Sequence, residues 1–261
     1  KTFKPTEILG YPHAGNDVFH AKGLFDGKEV KAYIKAARQM GSSIENEVAI
    51  LSQLRSPMTP TVIDYGFEGT PFSVTLELQG ERLSTIVGDN QNLEYISYLA
   101  EYGATLARLH RLNIQAENAK DRKFFHTPSD DLLKSLQLEE LKDFFSQPPK
   151  TPARCFCHGD FHYANVLWYN HHISGILDFE LSGIGNRDFD IAWAMFRRPG
   201  QRFFLTKAEQ EEFLQGYLQF GECDIEAIEY YMAQCYVYFL QFSLEDAEYC
   251  NYIRTWIKRL I

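Results

Sequence analysis

Two carboxylates and one amide define the chemistry within reach of this sequence. In the stretch Cys157-His158-Gly159-Asp160-Phe161-His162-Tyr163-Ala164-Asn165-Val166-Leu167-Trp168, Asp160 and Asn165 stand five residues apart, and Asp178 follows thirteen residues beyond Asn165. Between them, Val166–Trp168 and Ile173–Leu177 have the character of two strands, with Tyr169–His172 at the tip of a hairpin. A hairpin returns its end to its beginning, so Asp178 is expected beside Asn165. Two oxygen ligands converging on one spot suit Mg2+. Asp160 is left on the adjoining loop, free to accept a proton. Phosphoryl transfer needs such a set, because the transferred group demands positioning and charge neutralisation more than covalent help. Each of the three residues alone is also what turns and helix caps use; their order and spacing together carry the reading.

The elements that must hold these residues come in two kinds. Over the first eighty residues, Val18–Leu24 and Glu29–Lys35 flank Asp26-Gly27, a hairpin signal. Val30, Ala32 and Ile34 alternate with Lys31, Tyr33 and Lys35. Ile44, Val48 and Leu51 then recur at helical spacing, and Ser56-Pro57-Met58-Thr59-Pro60 stops that helix. Two further strands are expected near Thr61–Tyr65 and Ser73–Leu78. After Gly80 the pattern becomes helical. Leu99, Tyr102, Leu106 and Leu109 form one stripe; Ile225, Ile228, Met232, Cys235, Phe239 and Phe242 a second; Tyr249, Ile253, Trp256 and Leu260 a third. Thr206 and Glu209 have the spacing of a capping box. A cleft between the two parts is the expected ligand site.

The Asp160, Asn165, Asp178 pattern resembles the kinase catalytic loop with its metal-binding Asp. His158-Gly159-Asp160 in place of His-Arg-Asp, and Asp178-Phe179-Glu180 in place of Asp-Phe-Gly, look like the aminoglycoside phosphotransferase and choline kinase-like superfamily. Gly185-Asn186-Arg187-Asp188-Phe189-Asp190-Ile191-Ala192 is similar to that superfamily's following motif. The resemblance implies an α+β, bilobal, protein kinase-like fold. Residues 1–78 would be a small antiparallel β lobe with one key helix that binds the nucleotide. Residues 79–261 would be a larger, mainly helical lobe for catalysis and substrate binding. By the same resemblance Asp160 is the base, Asn165 and Asp178 hold Mg2+, and His158 and Asp190 support the loop. Lys35 would hold the α- and β-phosphates and Glu47 would pair with it; Glu45, two positions away, is the competing partner. Asn16, in the turn His13-Ala14-Gly15-Asn16-Asp17, would lie over the phosphates. The backbones of Leu76 and Leu78 would meet the purine edge of ATP or GTP. His110 is expected to be structural.

Composition bounds the rest. Of 261 residues, 45% are hydrophobic and 23% charged, which excludes a disordered or fibrous chain. The net charge of −9 argues against a nucleic-acid partner. No apolar run is long enough to span a membrane, and no apolar signal region follows Lys1-Thr2-Phe3-Lys4, so the expected compartment is the cytoplasm. Five cysteines do not look like a disulfide framework, and Cys155-Phe156-Cys157 has the spacing of neither a zinc knuckle nor a thioredoxin-type site. The expectation is therefore a small-molecule kinase. Its acceptor would be a hydroxyl of an aminoglycoside or other antibiotic, cationic ones among them, which would make antibiotic resistance its role. Choline, ethanolamine, homoserine or thiamine are the alternatives. A metal-dependent hydrolase, suggested by His158 and His162, and a non-catalytic kinase-like binding protein are the rivals. Oligomeric state is left open.

Overall fold

In the computed structural model, residues 2–12, 15–38, 43–87, 96–122, 125–150 and 153–260 are described. The chain divides into two compact units. One comprises Lys1–Ile86, Asn113–Glu117 and Tyr163–Ser182; the other comprises Val87–Leu112, Asn118–His162 and Gly183–Ile261.

The first unit is built on an antiparallel sheet of β1 (Lys4–Gly10), β2 (Asp17–Phe25), β3 (Lys28–Ala36), β4 (Val62–Gly66) and β5 (Phe72–Leu76), in the order β1-β2-β3-β5-β4. Asp26 and Gly27 both have positive φ, as the two-residue turn joining β2 and β3 requires. Phe3, Ala21, Ala32 and Val74 form the buried centre of this sheet, with Val30, Ile34 and Phe72 packed on them. Alternation then puts Lys35 on the opposite face of β3. Helix α1 (Ile44–Leu51) packs on β4 and β5. A second sheet, β6-β8-β9, combines β6 (Glu81–Arg82) with the hairpin β8 (Val166–Tyr169) and β9 (His172–Ile176). The hairpin turns on Asn170 and His171, both at positive φ, so the tip is tighter than the four residues expected. Helix α2 (Leu83–Val87) follows β6.

The second unit is mainly helical: α3 (Ile96–His110), α4 (Asp130–Ser135), α5 (Lys142–Phe145), α6 (Arg187–Met195), α7 (Lys207–Leu218), α8 (Ile225–Leu240) and α9 (Ala247–Ile257). A two-stranded ladder, β7 (Arg154–Cys157) with β10 (Gly183–Asn186), carries the chain into and out of the motif region. The capping box at α7 forms as the spacing predicts, and buried Glu209 also accepts from the Phe204 and Leu205 N–H groups. Helix α3 crosses α7 at very close range. A Cβ on Gly216 would stand 1.8 Å from the Ala100 carbonyl oxygen, and one on Gly103 would stand 2.0 Å from that of Phe213. No side chain fits between these backbones.

Several elements differ from the expectation. Strand β1 has no sequence signature, because it is an exposed edge strand carrying Pro5 and little alternation. After Gly80 the chain first pairs as a strand at Glu81–Arg82, before the helical part begins. Phe242 and Leu260 continue their helical stripes in sequence but lie beyond the ends of α8 and α9, and Phe242 is exposed. Among the described residues no helix is long and apolar enough to cross a membrane.

Gly216→Ala is expected to lower the stability of the chain by about 1–3 kcal/mol, the usual cost of forcing atoms into a filled contact. Urea unfolding measures it; an unchanged midpoint would refute the close α3–α7 crossing.

Candidate active site

In the first unit, charge collects around Lys35. Its ammonium lies 2.9 Å from Glu47 Oε2, 2.7 Å from Asp178 Oδ1 and 3.6 Å from Glu180 Oε2. Glu47 is buried on α1, whereas Glu45 is exposed, so Glu47 is the partner. Glu47 also accepts from the Phe179 N–H at 3.1 Å, tying α1 to the segment after β9. Burial works against a charged Lys35, but Glu47, Asp178 and Glu180 outweigh it and raise its pKa. Burial pushes the Glu180 carboxyl up, with Asp178 and Glu47 adding to the effect and Lys35 opposing it.

The hairpin delivers Asp178 as the spacing requires. Val166 pairs with Ile176, and the Leu177 N–H donates to the Asn165 carbonyl at 2.8 Å. Asp178 is therefore one residue beyond a bond to Asn165. Its own backbone is left-handed, at φ 67°, and leads into a short 3-10 turn over Phe179–Leu181. Asn46 fixes that turn by donating to the carbonyls of Glu180 and Ser182.

In the second unit, Asp190 organises the loop that bears Asp160. Its Oδ2 accepts from the His158 N–H at 2.9 Å and its Oδ1 from the Gly159 N–H at 3.0 Å. Gly159 has φ 79°, a conformation that a side chain would strain. His110 is buried between Asp190 Oδ2, at 3.1 Å, and the Tyr217 hydroxyl, at 2.7 Å. His158 is also buried, and its Nδ1 accepts from the Asp160 N–H. The Asp160 carboxylate accepts from Trp193 Nε1 at 2.8 Å and Arg122 Nη1 at 3.2 Å. Burial alone would raise its pKa, but His162, Arg122 and Arg198 hold it below the ordinary carboxylate value. Asp160 is thus an ionised acceptor with one oxygen already fixed in direction.

A family model described as the phosphotransferase enzyme family matches residues 41–231. The chain belongs to that family. No curated protein sequence matches it. Among solved structures, the chain is similar to a thermostable mutant of aminoglycoside phosphotransferase APH(4)-Ia in ternary complex with AMP-PNP and hygromycin B. The identity is 15%, the TM-score 0.65, and the match covers 98% of this chain and 94% of that one. It is also similar to macrolide 2'-phosphotransferase MphH from Brachybacterium faecium, at 16% identity, TM-score 0.57, and 97% and 91% coverage. Choline kinase from Cryptosporidium parvum Iowa II gives 15% identity, TM-score 0.57, and 98% and 87% coverage. These likenesses establish the protein kinase-like fold.

Residue by residue, the chain gathers Lys35, Glu47, Asp178 and Asn16 in one unit. The Asn16 amide donates to Glu180 at 2.8 Å. His13 and Ala14 of the same turn lie outside the described residues. Leu76 ends β5, and its N–H is taken by the Thr61 carbonyl at 2.9 Å, so that N–H is not open to a purine edge. Leu78 has no backbone hydrogen bond among the described residues. Asp160, His158 and Asp190 belong to the second unit. Three participants were missed from sequence. Glu180 lies inside the Asp178-Phe179-Glu180 motif, and its charge is the signal. Arg122 and Trp193 have no local signature, since distant segments bring them to Asp160.

Glu47→Ala removes both a Lys35 partner and the acceptor of the Phe179 N–H. It is expected to cost about 2–4 kcal/mol of stability, whereas Glu45→Ala costs about 0.5 kcal/mol or less. Parallel urea melts of the two variants check this; equal effects would remove Glu47 from the pair.

Proposed function

We propose that this phosphotransferase is a Mg2+-dependent kinase that moves the γ-phosphate of ATP or GTP to a hydroxyl of a small molecule. The observation that carries the reading is Lys35, held by Glu47 and in direct contact with Asp178. Three carboxylates around one ammonium leave an excess of negative charge, which fits a divalent cation with oxygen ligands. Asn165 and Asp178 would hold that Mg2+, with Glu180 as a further donor. Bound there, the ion neutralises charge on the phosphates.

The chain's own residues supply the remaining work. Lys35 binds the phosphates while Glu47 fixes its direction. The Leu76 carbonyl and the Leu78 N–H offer one acceptor and one donor to the purine edge. Asp160 accepts the hydrogen bond of the attacking hydroxyl and takes its proton. Trp193 and Arg122 aim the carboxylate, and Asp190, His158 and His110 hold the loop beneath it.

The structurally similar enzymes are named for an aminoglycoside, a macrolide and choline, so the fold does not choose the acceptor. The surroundings of Asp160 favour one class. His162, Arg122 and Arg198 are the strongest charges acting on it. A polycationic aminoglycoside, one of the acceptors that the sequence suggested, would approach against two guanidinium groups. A neutral or anionic hydroxyl compound fits this environment better.

Coupled nucleoside-diphosphate release over a panel of neutral, anionic and cationic alcohols tests the proposal. Turnover is expected with a neutral or anionic member. Asp160→Ala should reduce it at least ~10²-fold while leaving Mg2+-nucleotide binding nearly intact. Near-native turnover in Asp160→Ala would refute the base, and turnover confined to polycations would refute the acceptor class.

A further inference from the structure

Cys155 and Cys157 have no part in phosphoryl transfer as described. They flank Phe156 on β7, so both thiols fall on one face of the strand. Their Sγ atoms lie 3.8 Å apart. Two thiolates on one tetrahedral ion, with metal–sulfur bonds of about 2.3 Å, stand roughly 3.8 Å apart. A ring nitrogen of His110 lies within 4.8 Å of both sulfurs, a gap that a shift of about 1 Å closes to tetrahedral spacing. Across the ladder, Gly185 pairs with Cys155, and a Cβ there would come within 3.3 Å of Cys157 Sγ. The same Cβ would stand 3.0 Å from the Cβ of Ala119, so β10 packs closely against the face that bears the thiols.

The imidazole has the carboxylate partner that such a role uses. Its Nε2 faces the Asp190 carboxylate, and its Nδ1 meets the Tyr217 hydroxyl. Ligating histidines commonly donate their other N–H to a carboxylate, which fixes the tautomer and strengthens the ligand. With Nε2–H on Asp190, Nδ1 would be the ligand atom, and it would have to give up its hydrogen bond to the Tyr217 hydroxyl and turn toward the sulfurs.

We propose that Cys155, Cys157 and His110 form a binding site for a thiophilic divalent cation of the Zn2+ class, distinct from the oxygen-lined cluster around Asp178. Soft sulfur ligands select such ions over Mg2+. On binding, each S–H bond breaks and its proton passes to solvent, so two thiolates offset the two charges of the ion. Water takes the fourth position. Asp190 links this site to the Asp160 loop, since the carboxylate that orients His110 also holds the His158 and Gly159 N–H groups. Asp190 is here a positioning residue, acting on the metal through His110.

The test uses the full chain, reduced and stripped of metal, titrated with Co2+ in excess Mg2+. One equivalent is expected to produce thiolate-to-Co2+ charge-transfer absorption, and Zn2+ should displace it. Cys155→Ser and Cys157→Ser should each weaken binding by at least ~10-fold, and Asp190→Asn by about 10-fold through the imidazole. Should buried Cys157→Ser fail to fold, half-buried Cys155→Ser decides the matter. Absence of the absorption in the wild-type chain, or an unchanged titration in Cys155→Ser, overturns the proposal. None of these readouts depends on kinase activity.

Discussion

The first unit depends on one half-buried ammonium. Lys35 sits on the central strand of the sheet, faces away from the apolar core, and would be costly to bury alone. Glu47 on α1 and Asp178 and Glu180 after β9 remove that cost, and in doing so they fix three segments far apart in sequence. Glu47 serves a second purpose through the Phe179 N–H. The arrangement is stable only as a set, because three carboxylates without Lys35 would repel one another. The same excess of negative charge suits the cluster to a metal–phosphate ligand.

In the second unit a single carboxylate has the corresponding task. Asp190 takes two consecutive backbone N–H groups and an imidazole. Gly159 can then adopt its left-handed conformation, and Asp160 is presented with one oxygen occupied by Trp193 and Arg122. Both units thus spend buried, well-partnered charges on orientation. Such charges are weak evidence of net stability, because desolvation offsets much of their attraction.

Much of this was legible in sequence because it is local. The hairpin between Asn165 and Asp178 follows from two short apolar runs around a turn, and its register sets the position of Asp178. The Thr206–Glu209 cap and the α3 and α8 stripes follow from i, i+3 and i+4 spacing. Glu47 and Glu45 differ only in which face of α1 they occupy, and apolar Ile44, Val48 and Leu51 define that face. What sequence did not reveal is non-local or featureless. Edge strand β1 has no alternation to read. Arg122 and Trp193 reach Asp160 from segments more than thirty residues away on either side. The occupied N–H of Leu76 depends on its pairing with Thr61, and the close α3–α7 crossing depends on two glycines whose partners are distant backbone.

The central claim is that the Lys35–Asp178 cluster exists to hold a metal–nucleotide complex. Calorimetric titration with a non-hydrolysable nucleotide, with and without Mg2+, tests it most directly in the wild-type chain and in Asp178→Asn. The account predicts saturable one-to-one binding that strengthens with Mg2+ in the wild type and loses most of that Mg2+ dependence in the variant. Nucleotide affinity indifferent both to Mg2+ and to Asp178→Asn would contradict it.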